Sequence, residues 1–207
     1  MAPFARTLVA SGACVLVFTL ASSARADGAY GRLDGDLAVA LDAGLSAGGQ
    51  GAGFAARARA SYLSMAGIYL GFEEGLGLPE QSLERRMAGG VEVRPLFVAR
   101  FLSDLERGPA LLDLWLDSTG LDVGAHVTWL SPAVCAAGCR SDGLELAAHT
   151  ALPLVARASS PFVGLRVGVR LALDSSAPVV ENATQGFVAL SLGYQHVLRT
   201  GLVGLAP

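Results

Sequence analysis

The chain contains no lysine: its 15 basic residues are all arginine, set against 18 acids in 207 residues. With 16% charged residues and a formal net charge of −3, it lacks the basic field that holds a polynucleotide, which excludes a nucleic-acid partner. After the N-terminal stretch there is no apolar run of the roughly 18 residues that a membrane-spanning helix needs. Any bilayer crossing must then be made by strands. Gly-x-Ser-x-Gly, a phosphate loop followed by a helix, and a Ser/His pair that could share an apolar face are also missing. No catalytic residue, cofactor or metal is therefore expected, and the protein reads as non-enzymatic. Gly48-Gly49-Gln50-Gly51-Ala52-Gly53 mimics a nucleotide loop, but with no helix after it the stretch reads as a hairpin turn. What the chain has in quantity is apolar residues (52%) and glycine (26), with a mean hydropathy of +0.49, which excludes intrinsic disorder.

Residues 1–26 read as a secretory signal: Arg6, then an apolar stretch from Thr7 to Ala21, then the small-x-small site Ala24-Arg25-Ala26 before Asp27. Residues 27–35 form a short extension. From Asp36 onward apolar residues recur with period two, which places alternate side chains on opposite faces of a strand. The clearest case is Phe162 to Leu173. There Val163, Leu165, Val167, Val169, Leu171 and Leu173 share one face, while Gly164, Arg166, Gly168, Arg170 and Ala172 share the other. The same split recurs in Asp36–Ser46, Gly53–Leu63, Ala66–Glu74, Arg86–Phe101, Leu121–Trp129, Leu144–Leu154 and Val188–Tyr194.

Eight antiparallel strands of about 9 to 13 residues follow, the length a tilted strand needs to cross hydrocarbon. Residues 47–52, 75–85, 131–142 and 174–185 connect them at one rim; 64–65, 102–120 and 155–161 connect them at the other. Within the long connection, residues 109–117 read as a short interfacial helix started by Pro109, or else as an early start of strand five with a bulge. The barrel domain is then 36–198, and 199–207 is a tail.

Alternation alone does not say which face points outward. The polar faces are mostly Gly, Ala and Ser with single charges between them, which suits a narrow interior better than a water-facing exterior. Six acids (Asp36, Asp42, Glu73, Glu92, Asp122, Glu145) stand against six bases (Arg57, Arg59, Arg86, Arg94, Arg166, Arg170). Such balance is what burial demands, because an unpaired buried ion costs several kcal/mol. Registers centred on the turns set Asp42 opposite Arg57 and Glu145 opposite Arg170. The expected lumen network is Asp42, Arg57, Arg59, Glu73, Glu92, Arg94, Asp122, His126, Glu145, His149, Arg166 and Arg170. A turn centred between 130 and 143 makes His126 and His149 diagonal neighbours. A metal there is conceivable, but two histidines hydrogen-bonded within the ion network is the preferred reading.

Signal, dyad-patterned strands, polar inner face and unequal rims together resemble the small outer-membrane β-barrels of Gram-negative bacteria, the class of OmpA and OmpX, over Asp36 to Leu198. The resemblance implies an eight-stranded up-and-down transmembrane barrel in the outer membrane, with lipid as its surroundings and an unidentified protein or surface ligand reached through the long-rim loops. One feature departs from that class: such barrels usually finish on an aromatic residue, whereas here residues 199–207 run on past Leu198. Aromatic girdles would use Phe54, Tyr62, Phe97, Phe101, Trp129 and Tyr194. Cys135 and Cys139 are the two thiols left after export and are expected to form a disulfide. The leading function is a structural or interaction barrel with a closed lumen. A small passive pore and a soluble periplasmic barrel storing an apolar ligand are the alternatives.

Overall fold

A computed structural model describes residues 30–32, 34–77, 83–103, 109–131, 139–173 and 184–200. The signal segment and Cys135 lie outside the described residues, and with them the expected cleavage site and disulfide. The chain forms one closed antiparallel barrel of eight strands in sequence order. The strands are β1 (Leu37–Gly48), β2 (Gly51–Tyr62), β3 (Ala66–Gly75), β4 (Leu83–Val93), β5 (Gly120–Leu130), β6 (Arg140–Pro153), β7 (Ser160–Ala172) and β8 (Gln185–Leu198). Two helices, α1 (Pro95–Leu102) and α2 (Ala110–Asp117), join β4 to β5.

The closure is staggered. Registered partners lead once round the barrel from Leu37 through Tyr62, Ala66, Val93, Leu121, Ala148, Val167 and Val188 to Ala47, ten residues further along β1. With eight strands that stagger tilts them by about 40° and gives a backbone cylinder roughly 16 Å across, narrow enough for side chains to fill.

The apolar stripes face out and the ions face in. Leu41, Leu70 and Leu192 are 54%, 67% and 65% exposed, whereas Glu92, Asp122 and Glu145 are 0%, 0% and 1% exposed. Both ends of the described barrel chain, the turn at 63–65, the two helices and the 154–159 connection lie at one rim, here the helical rim. The Gly49-Gln50 turn and the other three connections lie at the opposite, loop rim.

Two sequence expectations change. Strand four does not run from Arg86 to Phe101: β4 ends at Val93, and Pro95 opens α1. Proline suits a first helical position because its missing N–H has no intrahelical partner there. Phe97 is consequently no girdle residue. It is 1% exposed beneath the helix, with the Arg32 guanidinium 5.4 Å from its ring centroid. Phe101 belongs to α1 as well. In the long connection, the helical reading of 109–117 is the one observed: α2 follows Pro109. Its Asp113 and Asp117, one turn apart, face inward, and Leu111, Leu112 and Trp115 face outward.

Candidate functional site in the barrel lumen

Because side chains alternate, each strand delivers its charges to the lumen at even spacing, and the stagger decides which of them meet. The expected registers are observed, with Asp42 paired to Arg57 and Glu145 to Arg170. Links across the lumen then join non-neighbouring strands into one column of alternating sign. From the helical rim, Arg94 lies 3.0 Å from Glu92, Glu92 3.9 Å from Arg59, Arg59 3.8 Å from Asp42, and Asp42 3.5 Å from Arg57. Arg57 of β2 reaches Asp122 of β5 at 2.9 Å, and Asp122 also receives Arg166 at 2.8 Å. Toward the loop rim, Glu145 accepts from Arg166 at 2.5 Å and from Arg170 at 2.7 Å. Arg170 continues to Glu73 of β3 at 2.5 Å, which Arg86 meets at 2.7 Å.

Neutral groups complete the loop-rim half. Tyr69 Oη donates to Glu145 at 3.2 Å, Arg86 Nε donates to Thr128 at 2.9 Å, and Arg86 also bonds Gln50, which the tight β1–β2 turn tips inward. Aromatic rings hold the guanidinium planes: Arg166 stacks between Tyr69 and Phe187, each 5.1 Å away, and Arg170 lies 3.7 Å from the Phe187 centroid. Gly124 leaves the room Tyr69 occupies, since a Cβ there would collide with the tyrosine hydroxyl. Tyr69, Thr128, Gln50 and Phe187 were not among the expected site residues. For the first two the signal was present, because both sit on the polar face of their strands.

Each of the twelve expected lumen residues points inward, but His126 and His149 do not meet. His149 sits opposite Gly120, whereas His126 sits opposite Gly143, six residues up β5 and so about 20 Å away. The expected turn centre set His126 opposite Ala147; β6 in fact begins at Arg140, and Leu130 N donates to Cys139 O at 3.0 Å. The four-residue slip is even, so every side chain keeps its face. Asp36, counted among the lumen acids, instead accepts from Thr200 N at 2.6 Å and Thr200 Oγ1 at 2.7 Å at the helical rim.

Glu92, Asp122 and His149 bring three buried donor atoms within 4.8 Å of one another, and His149 Nδ1 lies 2.9 Å from Asp122 Oδ1. Both carboxylates already face two guanidiniums each: Arg59 and Arg94 for Glu92, Arg57 and Arg166 for Asp122. A divalent cation at this point would enter the field of four positive groups, so the trio belongs to the ion network rather than to a metal centre.

At the helical rim the lumen is capped. Arg32 pairs with Asp117, Arg100 pairs with Asp113, and Arg100 Nη1 donates to Asp117 at 2.9 Å. Ser118 Oγ ties the end of α2 to Ala151 O of β6 at 2.6 Å. A cavity of about 40 Å³ lies beside the column, bounded by Arg57, Arg86, Arg166 and small residues such as Ala55, Gly71 and Ala189. It has room for a few waters. No family model matches the chain, and no curated protein matches it in sequence.

Proposed function

We propose that this protein is a non-enzymatic β-barrel of a Gram-negative outer membrane, exported by the signal at 1–26, with a lumen closed by its arginine–carboxylate column and a structural or interaction role exercised through the loop rim. The observation that carries this reading is the inversion of the surface: leucine and valine outside, every column ion inside. In water that distribution exposes apolar area on all sides; in hydrocarbon it is the stable one. The strand lengths, the tilt of about 40° and the outward Trp115 and Trp129 at opposite rims fit the same solvent. A soluble barrel storing an apolar ligand needs an apolar interior, and this interior is charged. The Cys135–Cys139 disulfide belongs to this proposal as a brace of one loop-rim connection.

The expected result is fractionation with outer membranes and heat-modifiable migration in detergent gels. Val167→Arg, at an outward position 51% exposed in the middle of β7, should lower stability in bilayers by about 2–4 kcal/mol. Extraction without detergent, or a neutral Val167→Arg, refutes the membrane reading. The small passive pore draws on the cavity beside the column; steady unitary currents from purified protein in planar bilayers would favour it over the closed lumen.

A further inference from the structure

Apart from the lumen column, the charged side chains of the described strands occupy one arc of the loop rim. Phe54, Glu74, Arg85, Trp129 and Arg140 are directly registered neighbours across β2, β3, β4, β5 and β6 and form a single outward rung. Glu84 and Asp142 adjoin it, and no other charged residue of the described strands points away from the lumen. The rung lies one step beyond an outward row containing Phe72, Met87 and Val127, where the apolar band ends. Chance scatter of surface charge would have spread such residues around both rims.

The two arginines flank the tryptophan, with backbones about 10 Å apart across it. Arg85 lies over the Phe72 ring at 5.8 Å, its stem on the apolar band and its head beyond it. Each guanidinium is fixed by a carboxylate through Nε and Nη2: Arg85 to Glu74 at 2.9 and 3.4 Å, Arg140 to Asp142 at 2.9 and 3.1 Å. Among the described residues, neither Nη1 has an acceptor. Two oriented donors of one sign, on either side of a ring that favours the membrane interface, match a phosphate held at headgroup depth.

The geometry points to a lipid-phosphate site at Arg85, Trp129 and Arg140, which binds the headgroup phosphate of a lipid in the leaflet at the loop rim. The site rests on the transmembrane reading above. Its carboxylates orient the arginines while tempering their charge, so a phosphomonoester headgroup, with more charge and more free oxygens than the phosphodiester of a zwitterionic lipid, is preferred without strong nonspecific attraction.

The chain has two tryptophans, so Trp115→Phe leaves Trp129 as the sole reporter. The full barrel in this background is reconstituted into phosphatidylcholine vesicles in which an equal fraction of either phosphatidylcholine, phosphatidic acid or free fatty acid is brominated. Trp129 should report phosphatidic acid enriched over phosphatidylcholine, by less than the roughly fivefold that each uncompensated arginine would give, because Glu74 and Asp142 pair with the two arginines. Arg85→Gln with Arg140→Gln should bring that ratio close to one. Glu74→Gln with Asp142→Asn should raise it. Equal quenching by phosphatidic acid and phosphatidylcholine overturns the site, as does equal enrichment of the fatty acid, which would show generic attraction of negative charge. A fall in the ratio on Glu74→Gln with Asp142→Asn overturns it too, by showing cation bridging to the acids. Folded protein whose Trp129 is quenched by no brominated lipid refutes the transmembrane reading itself, a failure distinct from the others.

Discussion

In the loop-rim half of the column Glu145 holds Arg166 and Arg170 at 2.5 and 2.7 Å, whereas in the helical-rim half Arg59 stands 3.8 Å from Asp42 and 3.9 Å from Glu92. Both halves are buried and both alternate in sign, so burial and charge balance do not explain the contrast. Their neutral neighbours do. The loop-rim ions meet Tyr69, Thr128 and Gln50, each able to bond a leftover donor or lone pair. The helical-rim ions lie in the half that also holds Ala40, Ala151 and Phe162, which offer no side-chain hydrogen-bonding group. There Asp42 Oδ2, Arg59 Nε and Nη2, Glu92 Oε2, Arg94 Nε and His149 Nε2 have no hydrogen-bond partner among the described residues. A buried ion pair stabilises only when its remaining donors and lone pairs are also satisfied, so the two halves should differ in energy despite similar charge.

The largest effect is expected at Glu145, the hub of the well-bonded half. Glu145→Gln removes the charge that faces two buried guanidiniums and should cost about 3 kcal/mol in urea titration of the folded barrel. Arg170 retains Glu73 and Arg166 retains Asp122, so removing Arg170 as well should recover part of the loss, giving a non-additive double-mutant cycle. Additive costs would show that the column is a set of independent pairs. A smaller effect is expected at Gly124. Gly124→Val drives a side chain against both the Tyr69 hydroxyl and the Gly89 carbonyl and should cost about 2 kcal/mol, with Tyr69→Phe in the same chain relieving little because the backbone contact remains. Full relief would place the clash at the hydroxyl alone.

Much of this half was legible in the sequence, and the reason is the period of a strand. A two-residue repeat fixes each face whatever the register, so Arg166, Arg170 and Glu145 could be assigned to the inner wall from alternation alone. Register was legible where the turn is symmetric, as at Asp42 and Arg57. It was misjudged at His126 and His149, because Ser141-Asp142-Gly143 has the composition of a loop yet lies in β6. Helix α1 escaped for a related reason: Val91, Val93 and Phe97 keep even spacing through Pro95, so the dyad pattern continued on paper where the strand had ended. The links that build the column, Arg57 to Asp122 and Arg170 to Glu73, join strands far apart in order. They depend on the ten-residue stagger, which no single strand encodes.

The smallest effect is expected in the loosely bonded half, and its size is what makes it informative. Arg94→Met with Glu92→Leu removes one ion of each sign at nearly constant volume, along with two of the unpartnered polar atoms counted there, Arg94 Nε and Glu92 Oε2. Arg59 loses a partner, but it retains Asp42 and lies 5.3 Å from the Phe162 ring centroid, and Asp42 also retains Arg57. Gains and losses should nearly cancel, so the double variant is expected within about 1 kcal/mol of the parent. The matching replacement of Glu145 and Arg170 strands Tyr69 Oη, takes one of its two carboxylates from Arg166, and should be clearly destabilising. If both replacements cost the same, neutral neighbours do not set the worth of an ion pair in this lumen, and its two halves differ in geometry alone.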